Sequence, residues 1–132
     1  MHDAAGIFGF NSPEWFMGEV GAIFAGCKAA GIYPTDTPDQ IAFKLKHSGA
    51  SVLFLEDEGK LAKVRQVAER LPKLKAIVAW GCEPPATIEG ASGAIPCYTW
   101  SSFVARGQGE ADEELDARLA AQKPGNLSLI HI

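Results

Sequence analysis

Short apolar runs alternate with helical patterns along most of the chain before Gly81, and this alternation restricts the fold more than any other feature. Ser51–Leu55 is the clearest predicted strand, because a continuous apolar run is typical of a strand buried on both faces of a parallel sheet. Ala5–Phe10 and Ala76–Trp80 are predicted strands of the same kind. Helical segments lie between the three. The sequence therefore predicts an α/β fold with parallel strand–helix repeats.

Three helices are predicted between and beside these strands. The first runs from Pro13 to Ala30 and is followed by Gly31, which suits the residue after a helix end. Its predicted buried face, at helical spacing, consists of Phe16, Val20, Ile23, Phe24 and Cys27. The second runs from Pro38 to about His47. The third opens at Glu56 and carries its apolar positions as far as Leu71. Its predicted apolar positions are Leu61, Val64, Ala68 and Leu71.

Beyond the third helix the patterns are weaker. Gly81–Pro96 is rich in Gly, Pro and Ala and is predicted to be a connecting loop. Cys97–Trp100 is predicted to be a short strand that leads into a helix over Ser101–Arg106. Gln108–Asp116 is strongly acidic and is predicted to be a solvated loop, followed by a helix over Leu115–Ala121. Neither an internal repeat nor a linker between two domains is indicated.

Composition excludes several classes of protein. Among 132 residues, 47% are hydrophobic and 21% are charged, which indicates a packed globule and not a disordered or fibrous chain. A net charge of −4 disfavours nucleic acid as a partner. No apolar run approaches the roughly 18–20 residues that a membrane-spanning helix needs, and no secretion signal is indicated. The spacing of Cys27, Cys82 and Cys97 is not that of metal ligands, and their use fits a reducing cytoplasm.

Familiar site patterns are not present in the form their chemistry needs. Phe10–Ser12 occupies the first strand–helix turn, where a dinucleotide-binding fold places glycines. Gly90–Gly93 is not the nucleophile elbow of a hydrolase. Glu56–Glu58 is better explained as acidic residues at a helix start than as part of a receiver-like site. The histidines are scattered, at His2, His47 and His131. The residue types alone therefore predict no catalytic, cofactor-binding or metal site.

The last six residues have a second explanation besides a short terminal strand. Leu127–Ile132 follows the polar turn Lys123–Asn126 and equals the in-frame translation of a transposase adapter used in sequencing libraries. We expect residues 127–132 to be such an adapter artefact, which leaves residues 1–126 as the part whose fold is predicted.

Several short sequence segments are more specific to one family of proteins than the patterns above. They are Gly9–Phe16 (GFNSPEWF), Gly21–Gly26, Gly31–Asp36, Leu71–Ile77 and Tyr98–Phe103. In this order they resemble the N-terminal region of the AMP-forming acyl-CoA synthetases, within the adenylate-forming superfamily. The resemblance is most specific to the long-chain fatty acid–CoA ligases of the bubblegum type, and it covers roughly residues 5–126.

The resemblance implies that residues 1–126 are part of the large N-terminal, AMP-binding domain of such a ligase. The parent reaction joins a fatty acid to AMP with release of diphosphate, and coenzyme A then displaces AMP to give acyl-CoA. ATP, Mg²⁺ and CoA are the implied cofactors of the parent. Within this region, Tyr33–Thr37 follows a predicted strand and is a candidate lining of a ligand channel.

Two departures from the family pattern limit what the resemblance implies. Cys27 stands where the family often has glycine. Lys123–Asn126 resembles the approach to the family's phosphate loop, but Leu127–Ile132 stands in place of that loop. No catalytic, cofactor-binding or metal residue is therefore carried over. We expect the fragment to be inactive and to bind neither ATP, Mg²⁺ nor CoA.

Two alternatives to a fragment of a long-chain fatty acid–CoA ligase stay open. In the first, the chain is a fragment of another adenylate-forming ligase; in the second, it is a stand-alone α/β binding or regulatory module. For the parent ligase we expect a cytoplasmic location, no nucleic acid and no transmembrane segment, with room for peripheral contact with a membrane.

Overall fold

The computed structural model describes residues 3–126 and the backbone of 129–130, and its strands form a mainly parallel sheet. The strands are β1 (Ala4–Phe8), β2 (Lys28–Ile32), β3 (Ala50–Leu55), β4 (Ala76–Ala79), β5 (Thr87–Gly90), β6 (Gly93–Thr99) and β7 (Leu129–Ile130). Their spatial order is β5-β6-β4-β3-β1-β2-β7, and only the β5–β6 pair is antiparallel. The predicted α/β class is confirmed.

Helices cover both faces of this sheet. They are α1 (Pro13–Phe24), α2 (Pro38–Ser48), α3 (Glu58–Arg65), α4 (Trp100–Gly107) and α5 (Asp112–Ala120). Residues of α2 and α3 pack against one face in the larger apolar cluster, with Phe8 and Leu53 at its centre. Residues of α1 and α4 pack against the other face, around Ile7, Phe54 and Val78. Both faces of the central strands are thereby covered, as a parallel sheet requires.

Side-chain caps explain where three helices begin: α1 and α2 begin at the predicted residues, whereas α3 begins at Glu58, two residues after the predicted Glu56. Ser12 Oγ accepts the Trp15 N–H at 3.1 Å at the start of α1. Thr37 and Gln40 form a reciprocal capping box at α2, and Asp57 caps α3. Each cap satisfies an N–H group that the first helical turn leaves without a partner.

The end of the first helix was predicted wrongly. α1 ends at Phe24, because Gly26 adopts a left-handed conformation, with φ of 83°, that turns the chain. The small residues that follow form β2, which pairs in parallel with β1 and buries Ala29 and Ala30. Gly31 lies within this strand and does not end a helix. Small residues are poor evidence for helix or strand on their own, and pairing with β1 decides the outcome.

The predicted apolar face of α1 was wrong as well. Phe16 is 63% exposed and Phe24 is 45% exposed. Gly18 is instead the buried residue of the helix. A Cβ built on Gly18 would lie 3.6 Å from the Phe54 ring, so the helix approaches the sheet through its small residues.

The segment predicted as a loop contains a hairpin. β5 and the first half of β6 lie within Gly81–Pro96 and pair in the register Ile88–Ile95 and Gly90–Gly93. Gly93, which follows the two turn residues and begins β6, has a φ of 107° that glycine adopts readily. The Gly and Pro content that indicated a loop therefore belongs to the turn and to the approaches of the hairpin.

The remaining boundaries differ by smaller amounts. α3 ends at Arg65, and a separate 3-10 turn over Ala68–Arg70 carries the apolar pattern on. The apolar positions predicted for the third helix, from Leu61 to Leu71, are all buried. α5 begins at Asp112, inside the predicted solvated loop.

The predicted adapter segment is described only in part. The backbone of Leu129–Ile130 pairs with β2, whereas 127–128 and 131–132, like 1–2, lie outside the described residues. Both explanations of the last six residues therefore stay predictions.

Candidate functional site

The order of the strands reverses between β1 and β3. From β1 the chain crosses to β2 on one side, and it then returns past β1 to place β3 and β4 on the other side. In open α/β sheets, ligands bind in the crevice that forms outside the carboxyl ends of the strands at such a point. Here the crevice lies between Gly9–Ser12, which follows β1, and Glu56–Asp57, which follows β3.

A network of charged and aromatic groups occupies this crevice. The Phe10 N–H donates to Glu56 Oε1 at 3.3 Å. Lys60 Nζ lies 3.2 Å from Glu56 Oε1 and 3.0 Å from Asp57 Oδ2. The same ammonium lies 5.3 Å from the centre of the Phe10 ring, within the range of a cation–π interaction. The polar groups of the crevice therefore find their partners within the chain.

Close packing also fills the space beside the network. A Cβ built on Gly9 would lie 2.6 Å from Trp80 Cζ2 and 2.8 Å from Glu56 Cβ. A Cβ on Gly81 would collide with the backbone oxygen of Glu56. Glycine is needed at both positions for the turns after β1 and β4 to meet the turn after β3. The crevice is thus a packed junction of three turns.

The network also shifts two pKa values. Burial acts to raise the pKa of Asp57, but hydrogen bonds from the Lys60 backbone and side chain outweigh this and lower it. For Lys60, burial acts to lower the pKa, but the hydrogen bonds and charges of Asp57 and Glu56 raise it. Each shift favours the charged form of the group, so the ion pairs persist at neutral pH.

The predicted channel segment, Tyr33–Thr37, forms a braced loop at the same edge. Asp36 is buried, accepts the Tyr33 N–H at 3.1 Å and pairs with the buried ammonium of Lys44. The Lys44 Nζ also lies 4.3 Å from the centre of the Tyr33 ring. Lys63 donates to the Asp36 carbonyl oxygen at 3.1 Å. The loop therefore holds the 61% exposed Tyr33 in one position at the carboxyl end of β2. Its role in lining a channel stays a prediction.

A larger concavity lies on the opposite face of the sheet from α2 and α3. It is a groove of about 730 Å³ between α1 and α4, with Phe54 and Val52 of β3 among its lining. Most of its lining is apolar, and Arg106 and Glu110 are its charged members. Sequence reasoning did not predict this groove, because it results from the small residues of α1 facing the sheet.

Nucleophiles and metal ligands are poorly placed for chemistry. Cys27, Cys82 and Cys97 are half-buried, form no disulfide within the described residues, and have pKa values that burial raises. A raised pKa leaves little reactive thiolate at neutral pH. His47 stacks on Phe43 with ring centres 5.7 Å apart. Across residues 3–126, no three or more His, Cys, Asp or Glu side chains converge to hold a metal ion.

The described residues therefore do not fit the ATP and Mg²⁺ of the implied parent reaction. The carboxylates of the crevice are engaged with Lys60, and the neighbouring turns leave no cradle for phosphate. We assign no step of the reaction to these residues. In the described part of the chain, no helix has the length and apolar character to span a membrane.

The parallel sheet, with helices on both faces and a reversal of strand order between β1 and β3, defines a doubly wound α/β unit. Comparison with known proteins narrows this class. The family described as "AMP-binding enzyme" matches residues 1–121, and the chain belongs to this family.

The similar curated proteins are ligases of long-chain fatty acids. Long-chain-fatty-acid–CoA ligase ACSBG2 of Xenopus laevis is 37% identical over 123 residues, which are 93% of this chain and 16% of the relative. ACSBG1 of Homo sapiens is 33% identical over 124 residues, again 16% of the relative. The chain thus spans 16% of the length of these relatives. The resemblance to the bubblegum-type ligases is confirmed.

Solved structures show the same fold. The anthranilate CoA ligase AuaEII, in complex with anthranoyl-AMP, matches with a TM-score of 0.59 and 26% identity, over 63% of this chain and 16% of that one. The A-PCP didomain of the carboxylic acid reductase from Segniliparus rugosus, in complex with AMP, matches with a TM-score of 0.67 over 83% of this chain and 17% of that one. At 14% identity this second likeness shows the fold alone.

Proposed function

We propose that this chain is a segment of the N-terminal AMP-binding domain of a long-chain fatty acid–CoA ligase. The observation that carries the proposal is the 37% identity, over 93% of the chain, to a long-chain-fatty-acid–CoA ligase. The parent would convert a fatty acid, ATP and CoA to acyl-CoA, AMP and diphosphate, with Mg²⁺. It would act in the cytoplasm, with peripheral contact with a membrane allowed.

In this proposal the segment supplies scaffold and the remainder of the parent supplies the chemistry. The carboxyl edge supports this division, because Glu56 and Asp57 are paired with Lys60, while Asp36 is paired with Lys44. The lysines are the groups of these pairs that could bind phosphate, and their pairing with carboxylates favours a role in positioning the turns. We therefore infer that the segment by itself has no ligase activity.

The first experiment is to sequence the genomic DNA of the locus downstream of the codon for Asn126. The proposal expects an open frame that encodes a Ser/Thr/Gly-rich phosphate loop within a short distance. A stop codon in continuous genomic sequence would contradict it and would favour a stand-alone binding or regulatory module. Genomic codons for Leu127–Ile132 would likewise exclude the adapter interpretation.

The second experiment assays the parent enzyme that this frame encodes. Palmitate, ATP and CoA should yield palmitoyl-CoA and AMP, and the 132-residue chain should yield neither. A parent that activates benzoate or anthranilate but not palmitate would instead be another adenylate-forming ligase. The 26% identity to an anthranilate CoA ligase makes that comparison informative.

A further inference from the structure

A small apolar notch lies at the amino edge of the sheet, away from the crevice. It has a volume of about 100 Å³ and lies between the end of α2 and the segment that leads into β4. The buried side chains of Leu45, Leu71 and Leu74 contribute to its lining. Lys46 and Lys73, both exposed, are its charged lining residues. The notch is thus large enough for about one aliphatic side chain and has two cations on its rim.

The two lysines have no carboxylate within ion-pair distance among the described residues. The end of α2 explains part of their placement, because cations are favourable near a helix C-terminus. Lys73 Nζ lies 3.8 Å from the position of a Cβ built on Gly49, the residue that caps α2. The helix dipole explains the positive charges near the end of α2, but it does not explain why the apolar notch between these two lysines is open.

The chain carries a segment with the complementary pattern. Leu115 of α5 is 39% exposed and so presents an aliphatic side chain at the surface of the helix. The residues around it in the sequence are acidic and exposed, namely Asp112, Glu113, Glu114 and Asp116, and of these Glu114 is paired with Arg118. An aliphatic side chain among carboxylates is the reverse of an apolar notch among lysines.

Within one copy these two surfaces do not meet. Arg118 Nη1 donates to the Ala25 carbonyl oxygen at 3.0 Å, and Gln122 donates to the Ile23 carbonyl oxygen, so α5 is attached to the end of α1. α1 packs on the sheet face opposite α2. A contact between α5 and the notch therefore requires two copies of the chain.

We propose that the notch binds α5 of a second copy of this chain. Leu115 of that copy enters the notch, and Lys46 and Lys73 pair with the carboxylates of Asp112 and Asp116. Each copy offers one notch and one α5, so a reciprocal exchange closes a two-fold dimer. The inference rests on the surfaces of this chain alone and is independent of the proposed ligase reaction.

A charge-swap experiment tests the proposal on the 132-residue chain by sedimentation equilibrium. The wild-type chain should associate reversibly at low salt and more weakly at high salt. Lys73→Glu and Asp116→Lys should each raise the dissociation constant by about tenfold or more. A mixture of the two variants should associate again, because the mixed dimer has one wild-type contact and one contact with both charges reversed, and both are complementary. Arg65→Glu is the matched control, since Arg65 is exposed and outside the notch, and it should leave the constant unchanged.

The apolar part of the contact has its own pair of variants. Leu115→Ala should weaken association about tenfold, whereas Val104→Ala, which shortens another exposed apolar side chain, should not. A wild-type chain that stays monomeric overturns the proposal. So does association that Lys73→Glu weakens no more than Arg65→Glu, since that result indicates unspecific aggregation.

Discussion

Gly9 and Gly21 are single glycines near α1, yet a side chain at each would meet different surroundings. A Cβ on Gly9 would collide with the Trp80 ring and with Glu56. A Cβ on Gly21 would have no atom of the described residues within 4 Å, apart from the backbone of its own helix. Glycine is required at position 9 because Trp80 and Glu56 approach its backbone closely. Glycine at position 21 destabilises α1, since glycine has a low helix propensity. The sequence shows both residues but not this difference, because Trp80 and Glu56 come from distant strands.

Substitution of the two glycines by alanine should therefore act in opposite directions. Gly9→Ala should destabilise the fold by about 1–3 kcal/mol, since the side chains around it must move. Gly21→Ala should stabilise it by about 0.5–1 kcal/mol through the helix propensity of alanine. Urea unfolding followed by circular dichroism measures both effects. Equal effects of the two substitutions would show that the junction at Gly9 is not tightly packed.

Asp57 links the crevice to pH. Its pKa is lowered in the folded chain, so its charge contributes stability above the aspartate pKa of the unfolded chain, about 3.9. This contribution is lost as pH falls through the lower, folded pKa. The side chain is 46% exposed, so solvent screening keeps the effect below about 1 kcal/mol.

Asp57→Asn isolates this charge, because asparagine caps a helix as well as aspartate. The variant should be slightly less stable than the wild type at neutral pH, and the difference should vanish below the folded pKa. Urea unfolding over a series of pH values measures it. A difference that persists unchanged in acid would mean that the cap, and not the charge, was lost.

Lys44 and Lys60 are both buried, but only the ion-pair partners of Lys60 could be predicted from the sequence. Lys60 lies three and four residues after Asp57 and Glu56, a spacing at which side chains meet on a helix, so this contact was open to prediction from sequence. Lys44 and Asp36 are separated by a turn and the start of α2, and only the folded loop brings them together. The braced position of Tyr33 was therefore beyond sequence reasoning.

At the scale of elements, capping residues in the sequence indicated well where helices begin, but hydrophobic periodicity indicated poorly which face of a helix is buried. Caps at Ser12, Thr37 and Asp57 act within one turn, so their signals survive in the fold. The buried face of α1 depends on how closely the sheet approaches. A helix that carries both phenylalanines and glycines has two plausible faces, and hydrophobic periodicity selects the bulky one. The structure buries Gly18 instead.

Substitution on the bulky face of α1 tests this orientation. Phe16→Gln should change the free energy of unfolding by no more than about 0.5 kcal/mol, since Phe16 is 63% exposed. Leu53→Ala, in the centre of β3, should cost about 2–5 kcal/mol. The two variants are compared by urea unfolding. A loss of unfolding free energy for Phe16→Gln comparable with that for Leu53→Ala would mean that the face containing Phe16 is buried, as periodicity predicted.

At the scale of the whole molecule, burial is concentrated in the middle of the sheet. All five residues of β1 are buried, and α2 buries Ile41, Ala42 and Leu45 against the larger cluster. α4 and α5 bury no residue fully. The chain thus shows a gradient of burial from the central strands to α4 and α5, although Trp100 and Phe103 of α4 still contact Phe54 of β3.

Amide hydrogen exchange measured by mass spectrometry should follow this gradient. Amides of β1 and β3 should exchange only through global unfolding, and those of α5 through local opening that exposes little apolar surface. α2 is the matched control, because it has a similar length but carries a capping box and a buried face. Addition of denaturant should accelerate exchange in β1, β3 and α2 strongly and in α5 only slightly, since local opening exposes little new surface. Protection of α5 equal to that of α2 would mean that its contacts with α1 through Arg118 and Gln122 hold it as firmly as a core helix.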